Sequence, residues 1–176
     1  RTWGARAGTL PHVEYWTEIF SAVKPIHPSL VWMAEVYWEM EWQMQQLGFD
    51  FCYDKRLYDR LVVANLGASG SVASVRAHLD AGYDYQGKLV RFTENHDEPR
   101  TAAAFAHQVM RAVTLASLTQ LGARLVHEGQ LEGRRTKVTV FLGRSPQEMA
   151  DADLRDWWQR LLAALHMPVL HEGIWQ

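Results

Sequence analysis

The stretch that decides the fold is Lys88-Leu89-Val90-Arg91-Phe92-Thr93-Glu94-Asn95-His96-Asp97-Glu98-Pro99-Arg100. Lys88 to Phe92 reads as a strand, and it runs without a spacer into the polar cluster Thr93 to Arg100. A helix over Ala103 to Leu121 follows and stops at Gly122. Strand, polar exit and helix make one βα unit.

The same order recurs on both sides. Upstream, the apolar run Leu30 to Val36, interrupted by Glu35, reads as a buried strand. Glu39 to Leu47 is then a helix closed by Gly48, Phe49 to Tyr53 a second strand, and Asp54 to Ala64 a helix. After the Gly/Ser break from Gly67 to Ser71, a further helix is expected over Val72 to Leu79. Downstream, Arg124 to His127 is a fourth strand and Gly129 to Arg135 a loop. Asp153 to Leu165 is a helix with Trp157, Leu161, Leu162 and Leu165 on one side. At the other end, Val13, Trp16, Ile19, Phe20 and Val23 stripe a helix whose first turn holds Pro11. Four alternations of strand and helix predict an α/β fold with parallel strands and helical crossovers.

Composition narrows the function. The 176 residues carry 18 Lys and Arg against 20 Asp and Glu, and 48% are hydrophobic, enough for a packed core and against disorder. With no Lys/Arg block to neutralise phosphates, a nucleic-acid partner is not expected. The longest uncharged stretch, Leu61 to Val75, falls short of the roughly 20 apolar residues of a spanning helix, so no membrane partner is expected either. Cys52 is the single cysteine, compatible with a reducing compartment such as the cytoplasm. The chain opens on Arg1 rather than Met, which reads as a piece of something longer and leaves localisation open. No metal is expected, because the sequence lacks a Cys pair, a His-x-x-x-His and an Asp-rich loop. Gly67-Ala68-Ser69-Gly70 lacks a phosphate loop's Gly-Lys-Ser/Thr ending, and no cofactor is expected.

In parallel α/β folds the C-terminal strand ends share one rim. Onto it the sequence delivers Glu35 and Tyr37, Asp54 and Lys55, Asn95, His96 and Asp97, and His127 and Glu128. Converging carboxylates and a histidine suit acid–base chemistry on a polar substrate. Each has a plainer alternative. Glu35 could pair with Lys55 or Arg56, Asp97 could cap the helix after Pro99, and His96 could be a satisfied polar residue. Asp54 and Asp59 are expected to pair with Lys55, Arg56 and Arg60, and Trp32, Trp157 and Trp158 to lie in the core. Tyr37 and Trp38 are candidate platforms for a stacked sugar.

Ala34-Glu35-Val36-Tyr37-Trp38, Phe49-Asp50-Phe51-Cys52-Tyr53-Asp54-Lys55, Phe92-Thr93-Glu94-Asn95-His96-Asp97 and Gly122-Ala123-Arg124-Leu125-Val126-His127-Glu128-Gly129-Gln130 together resemble the later half of the catalytic barrel of the α-amylase family of glycoside hydrolases. Glu35 precedes Asp97 by 62 positions, room for two βα units of roughly 30 residues. The resemblance runs from about Val13 to Glu172. It implies the C-terminal half, about four βα units, of a TIM (β/α)8 barrel over residues 1–167, with 168–176 opening a C-terminal β domain.

The resemblance also implies roles. Glu35 becomes the general acid/base, and as a carboxylic acid on an apolar strand it is expected to keep its proton near neutrality. Asp97 becomes the carboxylate that grips sugar hydroxyls and stabilises the oxocarbenium-like transition state. His96, Asn95, Tyr37 and Trp38 become substrate-binding residues, and the substrate an α-glucan or malto-oligosaccharide. The family's nucleophile, an Asp at the exit of the preceding strand, has no counterpart here. The chain is expected to begin just beyond that strand, with Arg1-Thr2-Trp3-Gly4 in the following loop, to need the N-terminal half of the barrel as its partner, and to be inactive alone. The competing class is a non-catalytic carbohydrate-binding or interaction protein on the same scaffold. A dehydrogenase-type domain fits poorly, since the Gly-rich first turn is missing.

Overall fold

The computed structural model describes residues 9, 12–69, 71–141 and 143–175. The expectations placed on Arg1 to Gly4, on Pro11 and on Gly70 lie outside the described residues.

The chain runs α1 (Tyr15–Val23), β1 (Met33–Ala34), α2 (Glu41–Leu47), β2 (Phe51–Tyr53), α3 (Lys55–Asn65), α4 (Ser71–Leu79) and α5 (Tyr83–Gln86). It continues through β3 (Leu89–Arg91), α6 (Thr101–Ala104), α7 (His107–Leu118), β4 (Ala123–Arg124), α8 (Ala152–Leu165) and α9 (Val169–Glu172). The four strands form one parallel sheet in the order β1-β2-β3-β4. Neighbouring parallel strands in chain order, joined by right-handed crossovers, place the crossover helices on one face of the sheet, as in a segment of a barrel.

Register separates the two faces. Ala34 pairs with Cys52 and Cys52 with Leu89, and these three point to the helix layer, where Phe20, Met44 and Phe49 cover them. An edge-to-face nest seals that layer at the β1 end: Phe20 sits 4.9 Å from Phe49 and 5.2 Å from Trp32, and Trp16 sits 5.0 Å from Phe49. Gly48 closes α2 in a left-handed conformation, and a Cβ there would lie 3.0 Å from the Phe20 ring. At the other end, Leu154, Trp158, Leu161 and Leu165 of α8 pack with Leu57 and Leu61 of α3 and with Met110, Val113 and Leu118 of α7.

Beyond Cys52 and Leu89, the helix-facing row turns ionic. Arg91 is fully buried and donates to Asp54, to the Gln86 side chain and to the Leu121 carbonyl at 2.9 Å, while Asp54 also meets His78 Nε2 at 2.9 Å. Asp54 caps α3 through the Leu57 amide, as its position before a helix suggests. Its charge partners, however, are Arg91 and His78 rather than the adjacent Lys55, Arg56 and Arg60. Burial pushes the Asp54 pKa up, but the His78 hydrogen bond and the Arg91 charge outweigh it and hold the carboxyl below its ordinary range.

Several expectations change. The expected helix Ala103 to Leu121 is two helices, because Phe105 is extended (φ −122°, ψ 145°) and in that conformation its ring reaches the core. The run Leu30 to Val36 is not a buried strand. Only Met33–Ala34 pair as strand, and Leu30, Val31, Met33 and Glu35 are exposed on an edge with no further strand beyond it among the described residues. Of the two adjacent tryptophans on α8, Trp158 is buried and Trp157 only borders the core. The short helix α5, unanticipated, sits between α4 and β3. Val169–Glu172 form a short helical turn after α8.

Candidate active site

The sheet's other face carries the site. Glu35 lies one residue past β1 and has the parity of Met33. Tyr53 ends β2, and Phe92 lies just past β3, its ring 5.6 Å from that of Tyr53. Three strand ends therefore present Glu35, Tyr53 and the Phe92–Asp97 segment along one rim.

Glu35 is exposed, and its Oε1 accepts a hydrogen bond from the Tyr37 hydroxyl. Lys55 and Arg56, its alternative partners, are engaged elsewhere: Lys55 pairs with Asp59 and, at 3.2 Å, with Glu98, and Arg56 pairs with Glu39 at 2.8 Å. The Tyr37 hydroxyl is pushed well above its ordinary pKa by burial, by its bond to Glu35, and by the charges of Glu35, Asp97 and Glu98. Tyr53 shifts the same way, through burial and then the charges of Glu35 and Asp97. Glu35 and Asp97, 62 residues apart in sequence, thus act on the same two phenols.

Asp97 and His96 stand at the rim, each side chain about half exposed, with His96 Nε2 3.2 Å from Asp97 Oδ2. Asp97 does not cap the following helix. That role falls to Glu94, whose Oε2 accepts from the Thr101 amide at 2.7 Å. Asn95 is buried behind the rim, where its Oδ1 accepts from the Asp97 and Glu98 amides at 2.9 Å each, an Asx turn that sets the direction of His96 and Asp97. Lys137 donates to the Asp97 carbonyl.

Behind this turn lies a buried ionic clamp that the sequence reading did not single out. Arg100 Nη1 donates to Glu94 Oε1 at 2.7 Å and to the Glu128 carbonyl at 2.6 Å, and lies 2.8 Å from His127 Nδ1. Gln130 spans from the His127 amide to the Thr93 hydroxyl. The loop after β3 and the loop after β4 are bound together by these contacts. The available signal was the charge of Glu94 directly after an apolar strand, with Arg100 six residues on. His127 serves this clamp, and Glu128 reaches outward to Arg134 at 2.9 Å.

Trp38 is 84% exposed, and it and Glu39 both adopt left-handed backbone conformations (φ 61° and 62°), sparsely populated for residues with a Cβ. Together with Tyr37, Lys55, Arg56 and Asp59 they line a cleft of about 400 Å³, to which the buried Glu41 also contributes. Among the described residues, no group of three or more His, Cys, Asp and Glu side chains is arranged to hold a metal ion, and no helix is long and apolar enough to cross a membrane.

The chain folds as part of a (β/α)8 barrel, and solved structures of that fold are similar to it over most of its length. Cyclic α-maltosyl-(1→6)-maltose hydrolase from Arthrobacter globiformis, solved in complex with maltose, is similar over 90% of this chain at 20% identity and a TM-score of 0.72, which is 39% of its own chain. An α-amylase from Lactobacillus plantarum matches 92% of this chain and 42% of its own at 22% identity (TM-score 0.70), and a debranching enzyme from Nostoc punctiforme matches 88% and 38% at 18% identity (TM-score 0.70). The chain thus spans about two fifths of the length of these structures. No protein-family model and no curated protein matches it.

Proposed function

We propose that this chain is the C-terminal half of the catalytic barrel of a retaining glycoside hydrolase or transglycosylase acting on α-glucosidic linkages of α-glucans or malto-oligosaccharides. The observation that supports the reading is that Glu35, one residue past β1, and the Asn95-His96-Asp97 turn beyond β3 both follow the C-terminal ends of one parallel sheet. The known activities of the three similar structures, each a glucan-acting enzyme by name, support the substrate class.

In this reading Glu35 protonates the leaving glycosidic oxygen. The Tyr37 hydroxyl donates to Oε1 and so helps to fix the carboxyl rotamer. Asp97 accepts hydrogen bonds from the sugar hydroxyls as positive charge develops on the ring. His96 donates to the same sugar, and Asn95 holds both by the turn behind them. Trp38 offers its ring to the adjoining sugar. The nucleophile is a carboxylate on a strand outside this chain, about 5–5.5 Å from the acid. It attacks the anomeric carbon, and Glu35 then deprotonates the water that releases the sugar. Strands packed against the exposed β1 edge would bury Glu35 and supply the apolar surroundings its acid role needs.

Without the nucleophile, the 176-residue chain alone is expected to hydrolyse α-glucans negligibly. Reducing-sugar release from soluble starch measures this. Clear release by the chain alone, abolished by Glu35→Gln, would overturn the placement of the nucleophile elsewhere.

A further inference from the structure

We propose that a barrel strand outside this chain pairs with the free edge of β4 and carries, on its helix-facing side, an Asp or Glu that forms an ion pair with Arg124. The inference rests on the half-barrel reading above and extends it to the chemistry of the partner surface.

Among the described residues the sheet ends at β4. In a parallel pair the N–H and C=O of one residue point to the same neighbour, and those of the next residue point to the opposite side. The Leu125 amide bonds to the Arg91 carbonyl of β3 at 2.8 Å, so the backbone groups of Arg124 face away from β3, toward the free edge. A strand laid against that edge hydrogen-bonds to Arg124 itself. Its residue in register with Arg124 projects to the same face of the sheet, as Arg91 does on the other side.

That level of the sheet is one carboxylate short. Tyr53 pairs with Val90 and Arg91 with Arg124, so Asp54, Arg91 and Arg124 follow one another across the sheet. Asp54 neutralises Arg91. Arg124, beside that arginine, donates from Nε to the Leu118 carbonyl at the end of α7 and has no carboxylate partner among the described residues. Burial lowers the pKa of both guanidiniums; Asp54 opposes the shift at Arg91, and no charge opposes it at Arg124. Like charges side by side in a sheet are unfavourable until the second also gains a counter-charge.

The space beside Arg124 suits such a group. A cavity of about 270 Å³ lies between β4 and the end of α8, lined by Arg124, Val126, Leu162, Leu165, His166 and His171, with no acidic side chain. It is smaller than the roughly 300–1,000 Å³ of small-molecule sites, which favours side chains of a neighbouring strand as the occupant. His166 Nδ1 bonds to the Leu162 carbonyl at 2.6 Å and His171 Nε2 to the Leu165 carbonyl at 2.7 Å, so both rings are held in place with their other nitrogens uncommitted. Apolar walls around three basic groups match an apolar strand that bears one carboxylate.

Expressing the barrel as two polypeptides, this chain with an affinity tag and the half that carries the other four strands, tests the pair. The parent chain should capture the other half, and Arg124→Glu should lower capture about tenfold. With the parent chain, converting each Asp and Glu of the strand beside β4 to its amide in turn should lower capture about threefold at one position, and in the Arg124→Met background that same change should have no effect. No sensitive position, or one whose effect persists with Arg124→Met, would overturn the ion pair and leave the half-barrel reading standing. No capture by the parent chain would overturn both.

Discussion

Substituting Asp54 by Asn probes the ionic cluster that joins the sheet to its helix layer. Asp54, Arg91 and His78 have side-chain exposures of 1%, 0% and 3%, so water screens none of them. The amide keeps the shape and can still accept from the Leu57 amide. What it removes is the charge beside a guanidinium that has no exit to solvent. Breaking a buried pair in this way costs about 3–5 kcal/mol, against a total stability of about 5–15 kcal/mol. With a urea slope of about 2 kcal/mol/M, the unfolding midpoint at neutral pH should fall by about 1.5–2.5 M.

The pH dependence has a definite sign. The folded-state pKa of Asp54 lies below its ordinary value of 3.8, so its stabilisation is fully present above that value and is lost as pH falls through the folded pKa. Parent and Asp54→Asn should therefore converge in acid. The double change Asp54→Leu with Arg91→Met should recover most of the loss, because it leaves no buried charge unpaired. Urea unfolding followed by circular dichroism at neutral and acid pH makes both measurements. A neutral-pH shift below about 0.5 M, or a gap that persists undiminished in acid, would refute the cluster's role.

Gly122→Ala should lower the melting temperature by about 4 °C or more, because φ is +102° there and a Cβ would lie 2.1 Å from the Leu89 carbonyl oxygen. Calorimetry showing an unchanged melting temperature would contradict the packing of that turn against β3. The 176-residue chain should self-associate in light scattering, since Leu30, Val31 and Met33 are exposed along the β1 edge, and Val31→Lys should reduce the association. A monodisperse monomer would count against an open barrel edge.

The order of elements was legible because each strand is a short apolar run bounded by polar exits, and helices carry their own signals: Gly48 after α2, Asp54 before α3, and an apolar stripe along α8. What tertiary contacts decide was not legible. Nothing local marks Phe105 as a break in a helix-forming stretch; its extended backbone goes with burial of its ring in the core. Trp157 and Trp158 fit a helical stripe almost equally well, and packing against α3 and α7 selects Trp158. At the rim, Glu35, Tyr37, Trp38, His96 and Asp97 were singled out as candidates by their position after strands. Glu94 and Arg100 were missed because each looks like an ordinary surface charge until the loops after β3 and β4 are brought together. Asp54 was assigned to neighbours in sequence, while its partners Arg91 and His78 lie 37 and 24 residues away.

If Glu35 is the acid/base of a retaining barrel, its loss should be rescued by azide. In a protein joining this chain to the strand that bears the nucleophile, Glu35→Ala should turn over an aryl α-glucoside to the glycosyl-enzyme and stall, because no base remains to activate water. Azide needs no such help and should restore turnover, yielding α-glucosyl azide of retained configuration. Rescue that yields the β-azide, or a Glu35→Ala variant as active as the parent without azide, would contradict that role.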